Sequence, residues 1–444
     1  MTNVDGIRMT TEQNPIPYIS LFSGAGGFDL GLEAVGYEAR VCIDLDYHSC
    51  RTLAFNRTLG RRTGFHRYLN NAVVLNQDLT QISTASLLKA SRLGPGEVPL
   101  IVGGPPCQSF SVFGGRRGMD DPRGLLWMEF ARIVRELRPK AFLFENVAGL
   151  LTVDGGKAYS QIFDVLSNTG GDPEYKVSAH LIDAAHFGVP QFRTRLFIFG
   201  SREGTTVPKP RSTHAVEWPR TALLPEQFSD SNEDLLRCPT ARDFLHGLPE
   251  ISPDCWIPNH VGRDHSSAII SRYQTLEFGQ RDPKTRVNKL HPDRPSYTII
   301  VGSDKGGGKG HVHPYEPREV TPRESARAQT FPDSWWFSGT SRHPIRQVGN
   351  AIPPVLAAVV GLHIKKYLFG FDESVSYAEI LDRLGLNYLQ NQKAVFPAWL
   401  GEVFRQLSGE QERKSALGLW RAVERHIPNH PHGINPPVFQ EVAD

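Results

Sequence analysis

Over about the first 200 residues, short apolar runs that stop at a glycine or an acid alternate with stretches of helical spacing. Residues 18–22 end at Ser23-Gly24-Ala25-Gly26-Gly27, residues 38–43 at Asp44-Leu45-Asp46, and residues 72–76 at Gln77-Asp78. Residues 98–102 end at Gly103-Gly104, and residues 141–144 at Glu145-Asn146-Val147. Between them, residues 28–35 carry Phe28, Leu32 and Val35 on one helical face, and residues 47–56 and 125–137 repeat the pattern. The alternation continues through residues 159–167, 175–182 and 196–200. Strands so spaced bury themselves in a sheet covered by helices on both faces. The expected fold class is therefore α/β, a doubly wound and mostly parallel sheet. Such sheets place their chemistry beyond the carboxyl ends of the strands, where these glycines and acids fall.

The texture changes at Ser201. From there the chain is rich in Pro, Gly, Ser and Thr, with short apolar pieces and a cluster at Gly306-Gly307-Gly308. Thr321-Pro322-Arg323-Glu324 opens a helix, with threonine as cap and proline at its first position. An apolar helix follows at residues 354–360 and is expected to pack back on the first domain. The expected organisation is a loose tail (1–17), a catalytic and cofactor-binding domain (18–200), a smaller irregular domain (201–345), a returning helix (346–369) and a helical extension (370–444). With 444 residues, two or three domains are expected.

Composition excludes several classes. No leader of charged-then-apolar type precedes the first strand, and no apolar run approaches the ~18 residues that span a bilayer. Five cysteines (42, 50, 107, 238 and 255) include no CxxC pair, which argues against a disulfide framework or a zinc knot and for the cytoplasm. The net charge is only +2, yet residues 257–315 hold nine Lys/Arg against five Asp/Glu, with histidines interleaved. That local excess suits a phosphate-binding face.

Cys107 is the candidate nucleophile. It follows a strand, two glycines and two prolines, and each proline fixes φ near −65°. A thiolate is the strongest nucleophile that an uncharged side chain can yield. Glu145, directly after four apolar residues, is expected to be desolvated and to hold a proton near neutrality. Gln191, Arg193 and Arg195 alternate along an incipient strand, which predicts three side chains on one face. At the first turn the dinucleotide pattern GxGxxG fails, since its third glycine falls at Asp29. A Rossmann dehydrogenase is disfavoured accordingly, while other adenine-containing ligands remain compatible.

Six blocks in order resemble the bacterial DNA (cytosine-5) methyltransferases, across most of residues 18 to 362. They are Phe22-Ser23-Gly24-Ala25-Gly26-Gly27-Phe28, Gly104-Pro105-Pro106-Cys107-Gln108-Ser109-Phe110-Ser111, and Glu145-Asn146-Val147. Gln191-x-Arg193-x-Arg195, Arg323-Glu324 through Gln329-x-Phe331-Pro332, and Gln347-Val348-Gly349-Asn350 complete the set. The resemblance implies a class I S-adenosylmethionine-dependent, Rossmann-like catalytic domain with a target-recognition domain. Cys107 would add to C6 of a flipped cytosine. Glu145 would hold the N3/N4 edge, Arg195 with Arg193 would contact the base, and Asn146 would fix the backbone.

The resemblance also assigns S-adenosylmethionine to Phe22, Gly24, Gly26, Gly27, Asp44, Asp46, Asp78, Leu79, Pro106 and Asn350, with no metal. Asp44 stands where many relatives carry glutamate. Double-stranded DNA would meet Gln108, Ser111, Gln191 and the glycine-rich loop bearing Arg116 and Arg117. The implied setting is a monomer in the bacterial cytoplasm, protecting DNA beside a cognate restriction endonuclease. A tRNA cytosine-5 methyltransferase of the same fold and a DNA-binding regulator without activity are the competing readings. The intact Cys107, Glu145 and Arg195 weigh against the second.

Overall fold

The apolar runs become seven strands of one sheet in the computed structural model, which describes residues 14–63, 66–106, 126–170, 174–216, 234–251, 257–301, 308–340 and 342–391. The strands are β1 (Ile16–Leu21), β2 (Tyr37–Asp44), β3 (Val73–Asn76), β4 (Leu100–Gly103), β5 (Ala141–Val147), β6 (Lys176–Asp183) and β7 (Thr194–Ser201). Their order is β3-β2-β1-β4-β5-β7-β6. The first five run parallel, and β7 lies antiparallel to both of its neighbours. The sheet is thus mostly parallel, as its sequence predicts.

Register brings the strand ends together. Leu21 stands opposite both Ile43 and Gly103, Gly103 opposite Phe144, and Asp44 opposite Asn76. The glycines and acids that punctuate the sequence therefore line one edge of the sheet.

Helices α1 (Gly27–Ala34), α2 (Tyr47–Thr63), α3 (Thr84–Ser91), α4 (Leu126–Leu137) and α5 (Lys157–Ser167) connect the strands. Two buried apolar clusters lie on the two faces of the sheet. One holds Leu21, Ile101, Phe130, Phe142, Phe144 and Ile162. The other joins α1 to α10 (Pro354–Phe369), with Leu30, Leu32, Val355, Leu356 and Val360 buried. Glycine permits that helix contact, because a Cβ at Gly31 would stand 2.2 Å from the Pro354 carbonyl oxygen. The stretch 342–369 is long and apolar enough to cross a membrane by length and composition, but 78% of its most apolar part is buried in this core.

The smaller region contains β8 (His214–Ala215), β9 (Leu236–Arg237), α6 (Ala241–Leu245), α7 (Ser267–Thr275), β10 (Ile300–Val301) and β11 (Gly308–Lys309). Its own core is small: Tyr273, Leu276, Val287 and Val312. It is seated on the large sheet through residues 296–298. Ser296 donates its N–H to the Pro190 carbonyl and accepts from the Phe192 N–H, while Thr298 Oγ1 donates to the Phe192 carbonyl.

The expected boundary at 345 does not coincide with the change in packing. Val320, Ala326, Phe331, Trp335, Phe337 and Val348 are buried in the core shared by α1 and α10. Trp335 Nε1 donates to the Ala25 carbonyl, and Asn56 bonds both ways with the Trp336 backbone. Helix α8 (Pro322–Ala328) has the predicted Thr321 cap and Pro322, completed by Glu324, which accepts from the Thr321 N–H at 2.7 Å. Helices α9 (Arg342–Asn350) and α11 (Tyr377–Leu384) complete the described chain. Only residues 370–391 of the expected extension are described, and the tail 1–17 is described from residue 14 on.

Candidate active site

At the end of β4 the backbone passes so close to its neighbours that only glycine fits. A Cβ at Gly103 would meet the Leu21 carbonyl oxygen at 2.9 Å, and one at Gly104 would meet Glu145 Oε2 at 2.6 Å. Pro105 is buried and Pro106 exposed, so the chain turns outward here. Asn146, itself buried, donates from Nδ2 to the Pro105 carbonyl at 3.4 Å. Its Oδ1 accepts from the Val147 N–H at 2.7 Å. The turn that leads into Cys107 is thereby tied to β5. Cys107 itself, with Gln108, Ser111, Arg116 and Arg117, lies outside the described residues.

Glu145 pairs with Arg195 across β5 and β7, Oε1 to Nε at 3.0 Å. Burial raises the Glu145 pKa, and the charges of Arg195 and then Arg193 oppose that rise. The acid is desolvated, as expected, but it is also ion-paired. Arg195 Nη1 donates to the Thr194 carbonyl, which orients the guanidinium along the strand end.

Gln191 and Arg193 depart from the expected common face. Strand β7 begins only at Thr194, and Gln191 lies upstream in a bridge with Ser296. Gln191 is 0% exposed, so it has no surface for the DNA contact expected of it. Arg193 is 1% exposed and donates from Nη2 to the Gly349 carbonyl at 2.9 Å. It ties the end of α9 to this strand end, and Arg195 is the less buried of the two arginines.

The first turn divides its glycines between two tasks. Gly24 has φ 54 and open space where a Cβ would stand, and its N–H donates to Asp44 Oδ2 at 2.8 Å. At Gly26 and Gly27, both expected to touch the cofactor, packing also demands glycine. A Cβ at Gly26 would meet Leu53 Cδ2 at 2.6 Å, and one at Gly27 the Ile352 carbonyl oxygen at 2.2 Å. Phe22 is held at φ 55, the left-handed region that a bulky residue adopts only under constraint. Ser23, just after it, bonds through Oγ to Ser20 and the Ile43 carbonyl.

Asp44 accepts from the N–H groups of Gly24 and Asp46, and burial raises its pKa against those two bonds. Asp46 accepts from the Ser49 N–H and Oγ and pairs with Arg346, so it is a helix cap with an ion partner. Asp78 is half-buried, with Oδ1 accepting from the Thr80 N–H and hydroxyl. Leu79 turns its side chain into the core and only its carbonyl outward, to Arg132. Asn350 is exposed at the end of α9.

One residue escaped the sequence reading. Leu45 is 67% exposed at the end of β2, its carbonyl held by Asn76 Nδ2 at 3.0 Å. An apolar side chain between two aspartates at a strand end was the available signal. It directly follows Asp44, whose carboxyl holds the Gly24 N–H. Cys42, Cys50 and Cys238 are buried, and burial raises all three thiols, so none competes as nucleophile. Among the described residues, no three His, Cys, Asp or Glu side chains cluster as a metal site requires.

Comparison with known proteins places this geometry. The family model for C-5 cytosine-specific DNA methylase matches residues 16–366. Type II methyltransferase M.AquIA of Picosynechococcus is 41% identical over 239 residues, 53% of this chain and 90% of that protein. Type II methyltransferase M1.HphI of Haemophilus parahaemolyticus is 31% identical over 367 residues, 79% of this chain and 87% of that protein. A solved structure described as a DNA modification methyltransferase encoded within an E. coli prophage superimposes with TM-score 0.61 at 25% identity, covering 80% of this chain and 99% of that one. The Spodoptera frugiperda DNMT2 structure, at TM-score 0.51 and 16% identity, shares the fold alone.

Proposed function

Since the chain belongs to the C-5 cytosine-specific DNA methylase family and is a DNA cytosine-5 methyltransferase, we propose that it moves the methyl group of S-adenosylmethionine to C5 of a cytosine flipped out of duplex DNA, through a covalent adduct with Cys107. The observation that carries this reading is the Glu145–Arg195 pair at 3.0 Å, packed against Gly104 three residues before Cys107.

The strand ends fit the cofactor. Gly24 leaves its backbone open to a ligand, Leu45 and Phe22 offer apolar surface to adenine, and Asp44 and Asp78 supply acceptors for hydroxyl and amino groups. Asn350 and Pro106, both exposed, would close the two sides. Bound there, S-adenosylmethionine would supply a methyl group made electrophilic by its sulfonium.

The protein's own part begins with extrusion of the base, because C6 is covered in the stack and unpairing costs a few kcal/mol. The Cys107 thiolate then forms a bond to C6, and electron density moves onto the ring. Glu145, in its protonated form, holds the N3/N4 edge and donates its proton toward N3 to offset that charge, while Arg195 keeps the carboxyl group aimed. After C5 has taken its methyl, water takes the C5 proton, the C5–C6 double bond re-forms, and the S–C6 bond breaks to release the cysteine as thiolate. The relatives named Type II methyltransferases support a protective role beside a restriction endonuclease that cuts the same site. A monomer acting in the bacterial cytoplasm suits that role.

Cys107→Ser should abolish methyl transfer while leaving DNA and cofactor binding intact; retained transfer overturns the assignment. A duplex with 5-fluorocytosine at the target should trap a covalent adduct, since fluorine does not leave as a proton does. Bisulfite sequencing of DNA from expressing cells would name that target.

A further inference from the structure

The family match ends at residue 366, but the built structure does not. Helix α11 has a capping box, with Ser376 Oγ accepting from the Glu379 N–H and Glu379 from the Ser376 N–H, and it stops at Gly385 with φ 69. Ile380, Leu381, Leu384 and Leu386 are at most 3% exposed. A tyrosine stands near each end of this segment. They touch different things.

Tyr377 donates from Oη to the Gly188 carbonyl at 2.7 Å, and its ring meets His214 of β8 edge-on at 4.4 Å. Gly188 has φ 83, and a Cβ there would stand 2.3 Å from Tyr377 Cε2, so the ring is seated directly on its backbone. Gly188 opens the run through Pro190 and Phe192, on which Ser296 and Thr298 seat the small domain. The same run delivers Arg195 to Glu145. Tyr388, by contrast, donates to the Arg327 and Phe331 carbonyls, and the Arg327 guanidinium lies over its ring at 4.5 Å. It braces α8 against the core and has no contact with residues 188–192 among its hydrogen bonds and ring contacts.

We propose that Tyr377 is a positioning residue for base modification: by pinning Gly188 between the catalytic sheet and His214, it holds the seat of the small domain and Arg195 in one register. The proposal rests on the reading of Glu145 and Arg195 as the base-holding pair.

The test uses the full chain with two matched variants, Tyr377→Phe and Tyr388→Phe, each of which keeps its ring and loses its hydroxyl. Thermal melts check that both fold. Tyr377→Phe should lower kcat/KM for DNA about three- to tenfold, the range that one neutral hydrogen bond spans, without changing S-adenosylmethionine affinity. Tyr388→Phe should lower the melting temperature and leave kcat/KM for DNA at the wild-type value. An unchanged kcat/KM in Tyr377→Phe, or an equal fall in both variants, overturns the proposal. Glu145→Gln, assayed alongside, tests the underlying reading separately: full methyl transfer by that variant removes the base-site assignment, whereas the contrast between the tyrosine variants still decides whether Tyr377 acts through the small domain's seat.

Discussion

Glu33 sits half-buried on α1, its carboxyl accepting from the N–H groups of Leu69 and Ala39. Burial lifts its pKa to about 8, against the pull of those two bonds. A carboxyl raised in the folded state favours folding while it is protonated. Its contribution is therefore complete below the ordinary glutamate range near 4.5 and is lost as pH climbs through about 8. Relative to Glu33→Gln, the wild-type protein should lose melting temperature steadily between pH 5 and pH 8; parallel curves for the two proteins would contradict the assignment. Asp29, raised to about 6 by burial beneath the first turn, adds a smaller dependence of the same sign. At this scale the sequence was legible where a residue's chemistry is announced by what precedes it. Glu145 follows four apolar residues, and its carboxyl is indeed buried beside Arg195. Arg193 was not legible, since its burial depends on where α9 ends, some 156 positions away.

Helix α1 lies on α10 with backbone against backbone, and Gly31 is the point of closest approach. The Cβ of an alanine there would stand 2.2 Å from the Pro354 carbonyl oxygen and 2.5 Å from the Ala357 Cβ. Neither neighbour is the free end of a flexible side chain. Gly31→Ala should therefore destabilise the protein by about 1–3 kcal/mol or more, the usual effect of overpacking, read as a shift in denaturant midpoint at unchanged slope. Elements with a clear stop signal were legible to within a few residues, as β1, β2 and β5 show. What escaped was the division of labour among the glycines. Gly24, Gly26 and Gly27 look alike in sequence, yet only Gly24 faces open space. The difference comes from Leu53, Trp335 and Ile352, which arrive from three other parts of the chain.

The molecule closes its first core with its last helices. Tyr37 Oη reaches the Gly361 carbonyl at 2.9 Å, and Lys365 Nζ the Val35 carbonyl at 2.9 Å. Asn56, Thr52 and Gln347 form a buried polar seam between α2 and residues 336–347. A fragment that stops at residue 200 lacks these partners and leaves α1 and one face of the sheet only partly covered. It should show no cooperative melt by circular dichroism; a sharp transition would mean that the first domain carries its own complete core. The sequence did suggest that a late helix returns to the first domain. It did not show that the segment from Val320 returns with it, because short apolar pieces among prolines and glycines read as an irregular domain until Trp335 is seen against Ala25.

The pairing of Tyr37 with Gly361 also sets a clock on synthesis. The two residues are 324 positions apart, so at about 5–20 residues per second roughly 16 to 65 seconds separate their exits from a ribosome. For that interval α1 lacks the helix that packs on it, and the apolar side chains that α10 will bury stay open to water.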